Sequence, residues 1–267
     1  MIPKIIHYCW IGSSTMPATF QQYIAHWKEV MPDWQFMEWN DSNIKELITD
    51  EKWTSMIEWG YKDKKHFGLL SDLVRYTALV RFGGFYVDTD VEIFKPFDIF
   101  LNYKNVFGYI FDALIGTAII GAEQGSPIYH DLLNYIYQMF ENEHRLTVSN
   151  VYVTKYICDH VKGFLLNGRN KFYNDLIIFT KDTFERYSSN KNTGYSWHHC
   201  DGSWRDKRGG GWIKRFAKLI LGKRLYYWIV HKYCMYKATF KNRYKHDIKI
   251  DKTSDFIISN GQIKFLK

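Results

Sequence analysis

The chain has 267 residues, of which 46% are hydrophobic and 18% aromatic, and its formal net charge is +8. This length fits one large domain, or one domain with an appendage, and allows a substantial core. Four cysteines stand far apart without a CxxC pair, which argues against a zinc site or a disulfide framework and favours a reducing compartment. The chain shows no signal-peptide pattern and no run near about 18 apolar residues, so we expect a cytoplasmic protein without a spanning helix.

The first 60 residues alternate predicted strands with predicted helices. β-branched and aromatic residues at 2–10 and alternating rings at 34–39 predict two strands. Apolar residues at helical spacing predict a helix over 17–30, ended by Pro32, and shorter helices through Ile48 and over 51–58. This alternation is typical of an α/β domain with a largely parallel sheet.

The clearest helix is predicted over Phe67 to Arg81, where apolar side chains share one face and Gly83-Gly84 ends the helix. A short strand, Phe85 to Val87, then leads directly into Asp88 and Asp90. Ligands of α/β sheets bind beyond the carboxyl ends of strands, which is where these aspartates are expected. Further along, 118–121 is predicted as a core strand and 128–140 as a helix.

Asp88 and Asp90 bring carboxylate oxygens close together at a predicted strand end. Such oxygens suit Mg²⁺ or Mn²⁺, which pair naturally with a diphosphate and neutralise charge on a leaving group. One aspartate can bind the cation while the other reaches it through water or holds a sugar hydroxyl. Alone, Asp-x-Asp is a weak signal, because loops are rich in aspartate.

The helix upstream supplies two further candidates, Asp72 and Arg75, which lie three residues apart and therefore on one face. Arg75 could pair with Asp72 or bind a phosphate, and Asp72 could hold a ribose or sugar hydroxyl. The alternative is an ordinary surface ion pair, worth a few tenths of a kcal/mol (roughly 0.3).

Three segments in the same order resemble family 32 glycosyltransferases with a DXD-motif sugar-binding region. These are Ile2 to Gly12 (IPKIIHYCWIG), Ser71 to Tyr76 (SDLVRY) with Gly83 to Asp90 (GGFYVDTD), and His198 to Trp204 (HHCDGSW). That family includes initiating mannosyltransferases and bacterial capsule and O-antigen enzymes, and related sequences occur in clostridial glucosylating toxins. The resemblance implies a GT-A-like fold and a retaining, metal-dependent transfer of a hexose from a UDP- or GDP-sugar.

The resemblance also implies roles for individual residues. Trp10 would stack on the nucleobase and Tyr86 would pack by the ribose or base, although both are also plausible core rings. Asp72 and Arg75 would contact donor sugar and phosphate. Asp88 would be shared between sugar and metal, and Asp90 would ligate the metal directly. His199 is the preferred third metal ligand and His198 its rival, while Ser203 and Trp204 would close over the diphosphate.

Two departures concern the acceptor side. Related sequences often have an asparagine where this chain has Thr117, and Thr-Gly-Pro where it has Ser149, Asn150 and Val151. The retaining outcome comes from the resemblance. No carboxylate is clearly indicated as a nucleophile, so we favour front-face attack assisted by the departing phosphate and by stabilisation of the leaving group by the metal and Arg75.

Residues 205–249 hold 14 Lys and Arg but only 2 Asp and Glu. Large rings are interleaved with these cations, and Ile213, Phe216, Ala217 and Ile220 share a predicted helical face over 212–221. The pattern is typical of a helix lying on an anionic membrane, where each cation adds on the order of 1 kcal/mol. A solvated helical hairpin is the main alternative, and no motif accompanies the segment to support nucleic-acid binding.

The sequence thus predicts a GT-A-like α/β catalytic domain over 1–204, a basic, partly helical membrane-facing segment over 205–249, and a C-terminal hairpin or tail over 250–267. The expected acceptor is a cell-surface polysaccharide or lipid-linked oligosaccharide, at the inner face of the cell membrane. Two alternatives remain: a metal-dependent hydrolase or phosphodiesterase, and a non-catalytic membrane- or nucleic-acid-binding protein.

Overall fold

The computed structural model describes residues 1–12, 15–143, 149–186, 188, 193–201, 216–222, 225–226, 228–230, 232–233 and 253–266. The helices are α1 (Ala18–Val30), α2 (Ile44–Leu47), α3 (Thr54–Tyr61), α4 (Phe67–Phe82), α5 (Pro127–Glu143), α6 (Ser149–His160) and α7 (Lys181–Phe184). The strands are β1 (Ile5–Trp10), β2 (Gln35–Asn40), β3 (Gly84–Val87), β4 (Val91–Ile93), β5 (Asn105–Phe111), β6 (Leu114–Ala122), β7 (Lys171–Tyr173), β8 (Leu176–Phe179), β9 (Ser196–His198), β10 (Phe256–Ser259) and β11 (Gln262–Phe265).

A seven-stranded sheet in the order β2-β1-β3-β6-β5-β8-β7 forms the centre of the fold. Strand β1 is parallel to both β2 and β3, and β5 is parallel to β8. Strand β6 is antiparallel to its neighbours β3 and β5, and β7 is antiparallel to β8. The predicted α/β fold is therefore confirmed, whereas the sheet is mixed rather than largely parallel, with three parallel and three antiparallel strand pairs.

Buried side chains cover both faces of this sheet. On one face α4 contributes Leu70, Leu73 and Val74 to the larger core cluster. On the other face Trp27 of α1 packs in a second cluster with Phe85. All four residues of β3 are consequently buried, as expected for a central strand covered on both sides. The carboxyl end of β3 is thereby held rigidly at one edge of the sheet.

The connection from α4 to β3 depends on two glycines. Gly83 and Gly84 have φ angles of 67° and 95°, which L side chains rarely adopt. A Cβ added at Gly84 would lie 2.6 Å from the Ile5 carbonyl oxygen on β1. The close approach of β3 to β1 therefore requires glycine there, and the predicted end of the helix at Gly83-Gly84 is confirmed.

Several predicted elements are confirmed with slightly different bounds, and one predicted helix is formed by two consecutive elements. The helix predicted over 51–58 begins as a 3₁₀ turn, Glu51–Trp53, and continues as α3. The Asp50 carboxylate accepts a hydrogen bond from the Lys52 N–H at that start. The small sheet formed by β4 and β9 was not predicted from the sequence.

The C-terminal hairpin is also confirmed. Strands β10 and β11 pair antiparallel with Ser259 opposite Gln262. The two turn residues, Asn260 and Gly261, have φ angles of 51° and 70°, as a tight Asn-Gly turn requires.

Part of the basic segment is helical at 216–222, within the helix predicted over 212–221. The boundaries predicted at 204/205 and 249/250 lie outside the described residues and remain predictions. Across the part of the chain that the structure describes, each helix is too short or too polar to cross a bilayer.

Candidate metal centre

Asp88, Asp90 and His198 converge at the carboxyl end of β3. Their ligand atoms all lie within 4.8 Å of one another. Asp88 follows β3 directly and its N–H donates to the Ala118 carbonyl on β6. Strand β4 begins after Asp90 and pairs with β9, with Val91 opposite His198. The two aspartates thus come from one turn, and the imidazole is brought to them by strand pairing.

Arg75 connects the α4 helix to this cluster. One guanidinium nitrogen donates to Asp88 Oδ1 at 2.7 Å and the other lies 3.0 Å from Asp72 Oδ1. The guanidinium also lies over the Tyr86 ring, 4.6 Å from its centroid. The side chain is only 5% exposed, so the expected contact with a donor phosphate is not open in this structure. Arg75 instead positions the two carboxylates and balances their charge.

Asp72 and Arg75 do form an ion pair. The alternative that this is an ordinary surface pair is wrong, because both side chains are buried. Burial raises the pKa of the Asp72 carboxyl, against the charge of Arg75 and hydrogen bonds from Ser149 and Tyr152. Ser149 also hydrogen-bonds the Tyr76 hydroxyl, at 2.7 Å. Asp72 is therefore held in a polar interior network, with little surface available for a sugar hydroxyl.

The placement of Tyr86 also differs from the prediction that it contacts the ribose or base of the donor. It is 1% exposed, and its hydroxyl hydrogen-bonds Ser71 at 3.0 Å and Cys9 at 3.1 Å. The ring supports Arg75 from beneath. Trp10, at the carboxyl end of β1, is half-buried and packs edge-on against Phe20. Trp10 therefore keeps some ring surface beside the candidate site.

Asp90 is held from two directions. Its Oδ2 accepts the Asp201 N–H at 2.8 Å, and its carbonyl accepts the His199 N–H. Burial acts to raise the pKa of the Asp90 carboxyl, but the charge and hydrogen bond of His198, together with the hydrogen bond from the Asp201 N–H, hold it below its ordinary value. Asp90 is therefore an ionised ligand candidate near neutral pH.

Asp88 has a different electrostatic setting. Burial, together with the neighbouring Asp90 carboxylate, raises the pKa of the Asp88 carboxyl to about 6, although Arg75 opposes the shift. Two carboxylates this close repel each other, so a cation between them is favourable. Asp88 therefore binds a proton more readily than Asp90, although the two carboxylates lie in the same site.

The geometry favours His198 over His199 as the third ligand. His198 Nε2 lies 3.4 Å from Asp90 Oδ1. His199 points elsewhere: its Nε2–H donates to Glu92 at 3.2 Å and its ring stacks on Tyr23 with centroids 5.1 Å apart. Burial acts to lower the pKa of the His198 imidazole, but the neighbouring Cys200 sulfur and the carboxylates of Asp90 and Glu185 raise it well above its ordinary value.

The donor set fits a hard divalent cation. Two carboxylates offer the oxygen ligands that Mn²⁺ and Mg²⁺ prefer, and the imidazole adds one nitrogen ligand. Ser203 and Trp204, predicted to close over a diphosphate, lie outside the described residues. Glu185 and Tyr23 contact the site residues but belong to no motif visible in the sequence. Ser149, which the sequence placed on the acceptor side, instead contacts Arg75.

The segment that carries the Asp-x-Asp carboxylates matches a known protein family. Residues 17–107 match the family described as "Glycosyltransferase sugar-binding region containing DXD motif". The chain thus contains a segment similar to that region. The matched segment includes Asp72, Arg75, Asp88 and Asp90, whereas His198 lies beyond it.

Two of the curated proteins similar to this chain have glycosyltransferase names. Inositol phosphoceramide mannosyltransferase 3 of Schizosaccharomyces pombe is 26% identical over 57% of this chain and 42% of its own length. An uncharacterised glycosyltransferase, L373, of Acanthamoeba polyphaga mimivirus is 26% identical over 63% of this chain and 68% of its own. The chain therefore spans less than half of the yeast relative.

Two solved structures are similar to parts of the fold. The PaToxG glycosyltransferase has a TM-score of 0.48 and 17% identity, over 61% of this chain and 70% of its own. A glycosyltransferase involved in glycosylation of the major capsid of PBCV-1 has a TM-score of 0.44 and 10% identity, over 74% and 94%.

Proposed function

We propose that this chain is a metal-dependent, retaining glycosyltransferase that moves a hexose from a UDP- or GDP-sugar to an acceptor hydroxyl. The acceptor is a cell-surface polysaccharide or a lipid-linked oligosaccharide. The names of the S. pombe relatives, inositol phosphoceramide mannosyltransferases, support a lipid-linked acceptor and make a GDP-sugar one of the two donors to test.

One observation carries the proposal: the two aspartates of the DXD motif and His198 form a single cluster at the carboxyl end of β3. This is the sheet edge at which α/β proteins bind nucleotides. Mn²⁺ or Mg²⁺, held by Asp88, Asp90 and His198, would neutralise charge on the nucleoside diphosphate leaving group.

The surrounding residues support a preorganised site. Arg75 orients Asp88, and the Asp201 N–H orients Asp90. The half-buried ring of Trp10 is the candidate surface for the nucleobase. Fixed charges that need no rearrangement during reaction are the largest contribution in many transferases. We favour front-face attack by the acceptor hydroxyl, whose proton passes to the departing phosphate.

We further propose a cytoplasmic location at the inner face of the cell membrane. The helical residues 216–222 support it, because Phe216, Leu219 and Ile220 share one face and are exposed by 59%, 81% and 66%. Exposed apolar side chains beside Lys218 suit an anionic bilayer surface.

Calorimetry with Mn²⁺ and either UDP or GDP tests the nucleotide site. We expect one nucleotide to bind only when the metal is present. If neither binds with Mn²⁺, the transferase proposal fails.

A panel of nucleotide sugars, followed by NMR of the product, tests the reaction. We expect one donor to be consumed faster with acceptor than without, and the product to keep the donor's anomeric configuration. Donor breakdown that acceptor does not accelerate would identify a hydrolase instead, and an inverted product would exclude retention.

Replacing Asp90 with Asn tests the motif itself. We expect Asp90→Asn to lower metal-dependent turnover by about 100-fold or more, because a direct charged ligand is lost, with an unchanged circular dichroism spectrum. Near-normal turnover would remove Asp90 from the metal site.

A further inference from the structure

Glu185 is a buried carboxylate behind the candidate metal centre. It caps the carboxyl end of α7, and its side chain is 2% exposed. Its Oε2 accepts a hydrogen bond from His198 Nδ1–H at 2.6 Å. Burying a carboxylate costs free energy unless it is paired, and the hydrogen bond from His198 supplies that pairing for Glu185.

The contact determines which nitrogen of His198 faces the aspartates. Because the Nδ1–H is held by Glu185, the proton that leaves when His198 becomes neutral is the one on Nε2, and this nitrogen then bears the lone pair. That nitrogen lies 3.4 Å from Asp90 Oδ1. Two lone pairs that face each other repel, and a proton or a metal cation between them removes the repulsion. The imidazole is therefore held ready to bind a cation through Nε2.

The surrounding backbone is built to accommodate Glu185. A Cβ added at Gly116 on β6 would overlap Glu185 Oε1, so glycine leaves the space that the carboxylate fills. The Glu185 carbonyl accepts the His198 N–H at 3.3 Å, and the Ser196 hydroxyl donates to the Phe184 carbonyl at 2.7 Å. Hydrogen bonds from both the main chain and the side chains of β9 therefore connect this strand to the end of α7.

We propose that Glu185 is a positioning residue that orients His198 for metal binding, and that Gly116 provides the space for it. The proposal rests on the proposed function, since it presumes a cation at Asp88, Asp90 and His198. Partners of this kind fix the tautomer of a ligating histidine, and their loss typically weakens metal affinity by about 10- to 100-fold.

Mn²⁺ affinity, measured by electron paramagnetic resonance of the full chain with Mn²⁺ alone, is the first test. We expect Glu185→Ala to bind Mn²⁺ about 10- to 100-fold more weakly than the unaltered protein. Glu185→Gln keeps an acceptor for the Nδ1–H, so its affinity should be intermediate. The control is Asp182→Asn on the same helix, where the carboxylate pairs with Arg186 instead.

The outcomes separate the two proposals. If the unaltered protein binds no Mn²⁺, the metal-dependent function fails. If it binds Mn²⁺ and Glu185→Ala binds equally well, the positioning role alone is overturned. Equal losses in Glu185→Ala and Asp182→Asn would also overturn it.

Nitrogen-15 NMR of the histidine side chains is a second test that needs no metal. We expect His198 of the unaltered protein to carry its proton on Nδ1 when neutral, and Glu185→Ala to shift it towards Nε2. Gly116→Ala should displace Glu185 and produce the same shift. An unchanged tautomer in Glu185→Ala would overturn the proposal, even if that variant is less stable.

Discussion

Arg75 shows how one buried side chain organises a site made mainly of acids. Its guanidinium contacts Asp72 and Asp88 on two sides and lies over the Tyr86 ring. Lysine has the same charge but is a single point of charge, which cannot bridge both carboxylates in this way. The position of the two carboxylates therefore requires arginine rather than lysine at residue 75.

Arg75→Lys should lower the free energy of unfolding by about 3 kcal/mol, because lysine can pair with only one of the two carboxylates and leaves the other buried charge without compensation. Urea denaturation measures this loss. The matched control is Arg186→Lys, whose pair with Asp182 is partly exposed and should change stability by less than about 0.5 kcal/mol. Equal denaturation midpoints for the two variants would contradict this role.

His7 links stability to pH away from the candidate site. Its Nε2–H donates to the Gly83 carbonyl at 2.8 Å, and its Nδ1 accepts the Trp39 N–H at 3.2 Å. Burial lowers the pKa of this imidazole to about 4, even though the Gly83 carbonyl favours the charged form. In the unfolded chain the pKa is about 6.5.

Stability should therefore fall as the pH drops from about 6.5 to about 4, because the unfolded chain binds a proton that the folded chain refuses. The contribution of His7 over this window is about 3 kcal/mol. His7→Phe should flatten this part of the stability curve in urea titrations at stepped pH. An identical slope in His7→Phe and the unaltered protein would contradict the assignment.

The sequence pointed to Asp88 and Asp90 for the candidate site, but it preferred His199 as the third ligand and gave His198 only as the rival. Asp88 and Asp90 follow a strand with clear helix and glycine signals before it. Neighbouring residues of a strand point to opposite faces, so only one of His198 and His199 can face the aspartates. The pairing of β9 with β4 decides which, and three-residue strands leave too few alternations to predict such pairing.

At the scale of elements, α4, the two glycines and β3 act as one unit. The helix carries Asp72 and Arg75, the glycines turn the chain, and β3 delivers Asp88 next to Arg75. The bounds of this unit were predicted from the sequence to within about one residue. The reason is that the helical periodicity and the Gly-Gly stop both lie within 24 consecutive residues, Phe67 to Asp90. By contrast, Glu185 reaches the site through contacts that no local pattern encodes.

Gly84→Ala should destabilise the protein by about 3 kcal/mol, since a methyl group would both strain the backbone and press on Ile5. Thermal or urea unfolding measures the loss. Gly125→Ala is the control, because Gly125 has a similar φ of 73° but open space around its Cβ position. It should cost only about 1 kcal/mol. Equal losses would mean that crowding against β1 is unimportant.

At the scale of the whole molecule, charge is concentrated in one region. Residues 205–249 hold 14 of the 36 Lys and Arg. The described part of that region also exposes large apolar side chains, including Leu219, Ile220 and Trp228. Cations and exposed apolar groups together favour a lipid surface over a purely aqueous one.

The double change Lys218→Glu and Lys232→Glu should weaken binding to vesicles containing phosphatidylserine by about 10-fold or more, since each cation contributes on the order of 1 kcal/mol. Vesicle sedimentation measures the bound fraction. The double change Lys28→Glu and Lys45→Glu alters net charge equally at exposed positions elsewhere, and should have little effect. Equal loss in both proteins would assign binding to overall charge, and unchanged binding would exclude the membrane role.

The contact between Asp90 and the Asp201 N–H joins residues 111 positions apart. During synthesis, α4, β3 and both aspartates leave the ribosome long before β9 is made. A nascent chain can therefore begin to assemble its sheet while its acidic ligands still lack their histidine. Since domains fold as units as they emerge, the candidate centre is completed among the last steps, and a chain interrupted before β9 has the aspartates but not the full set of ligands.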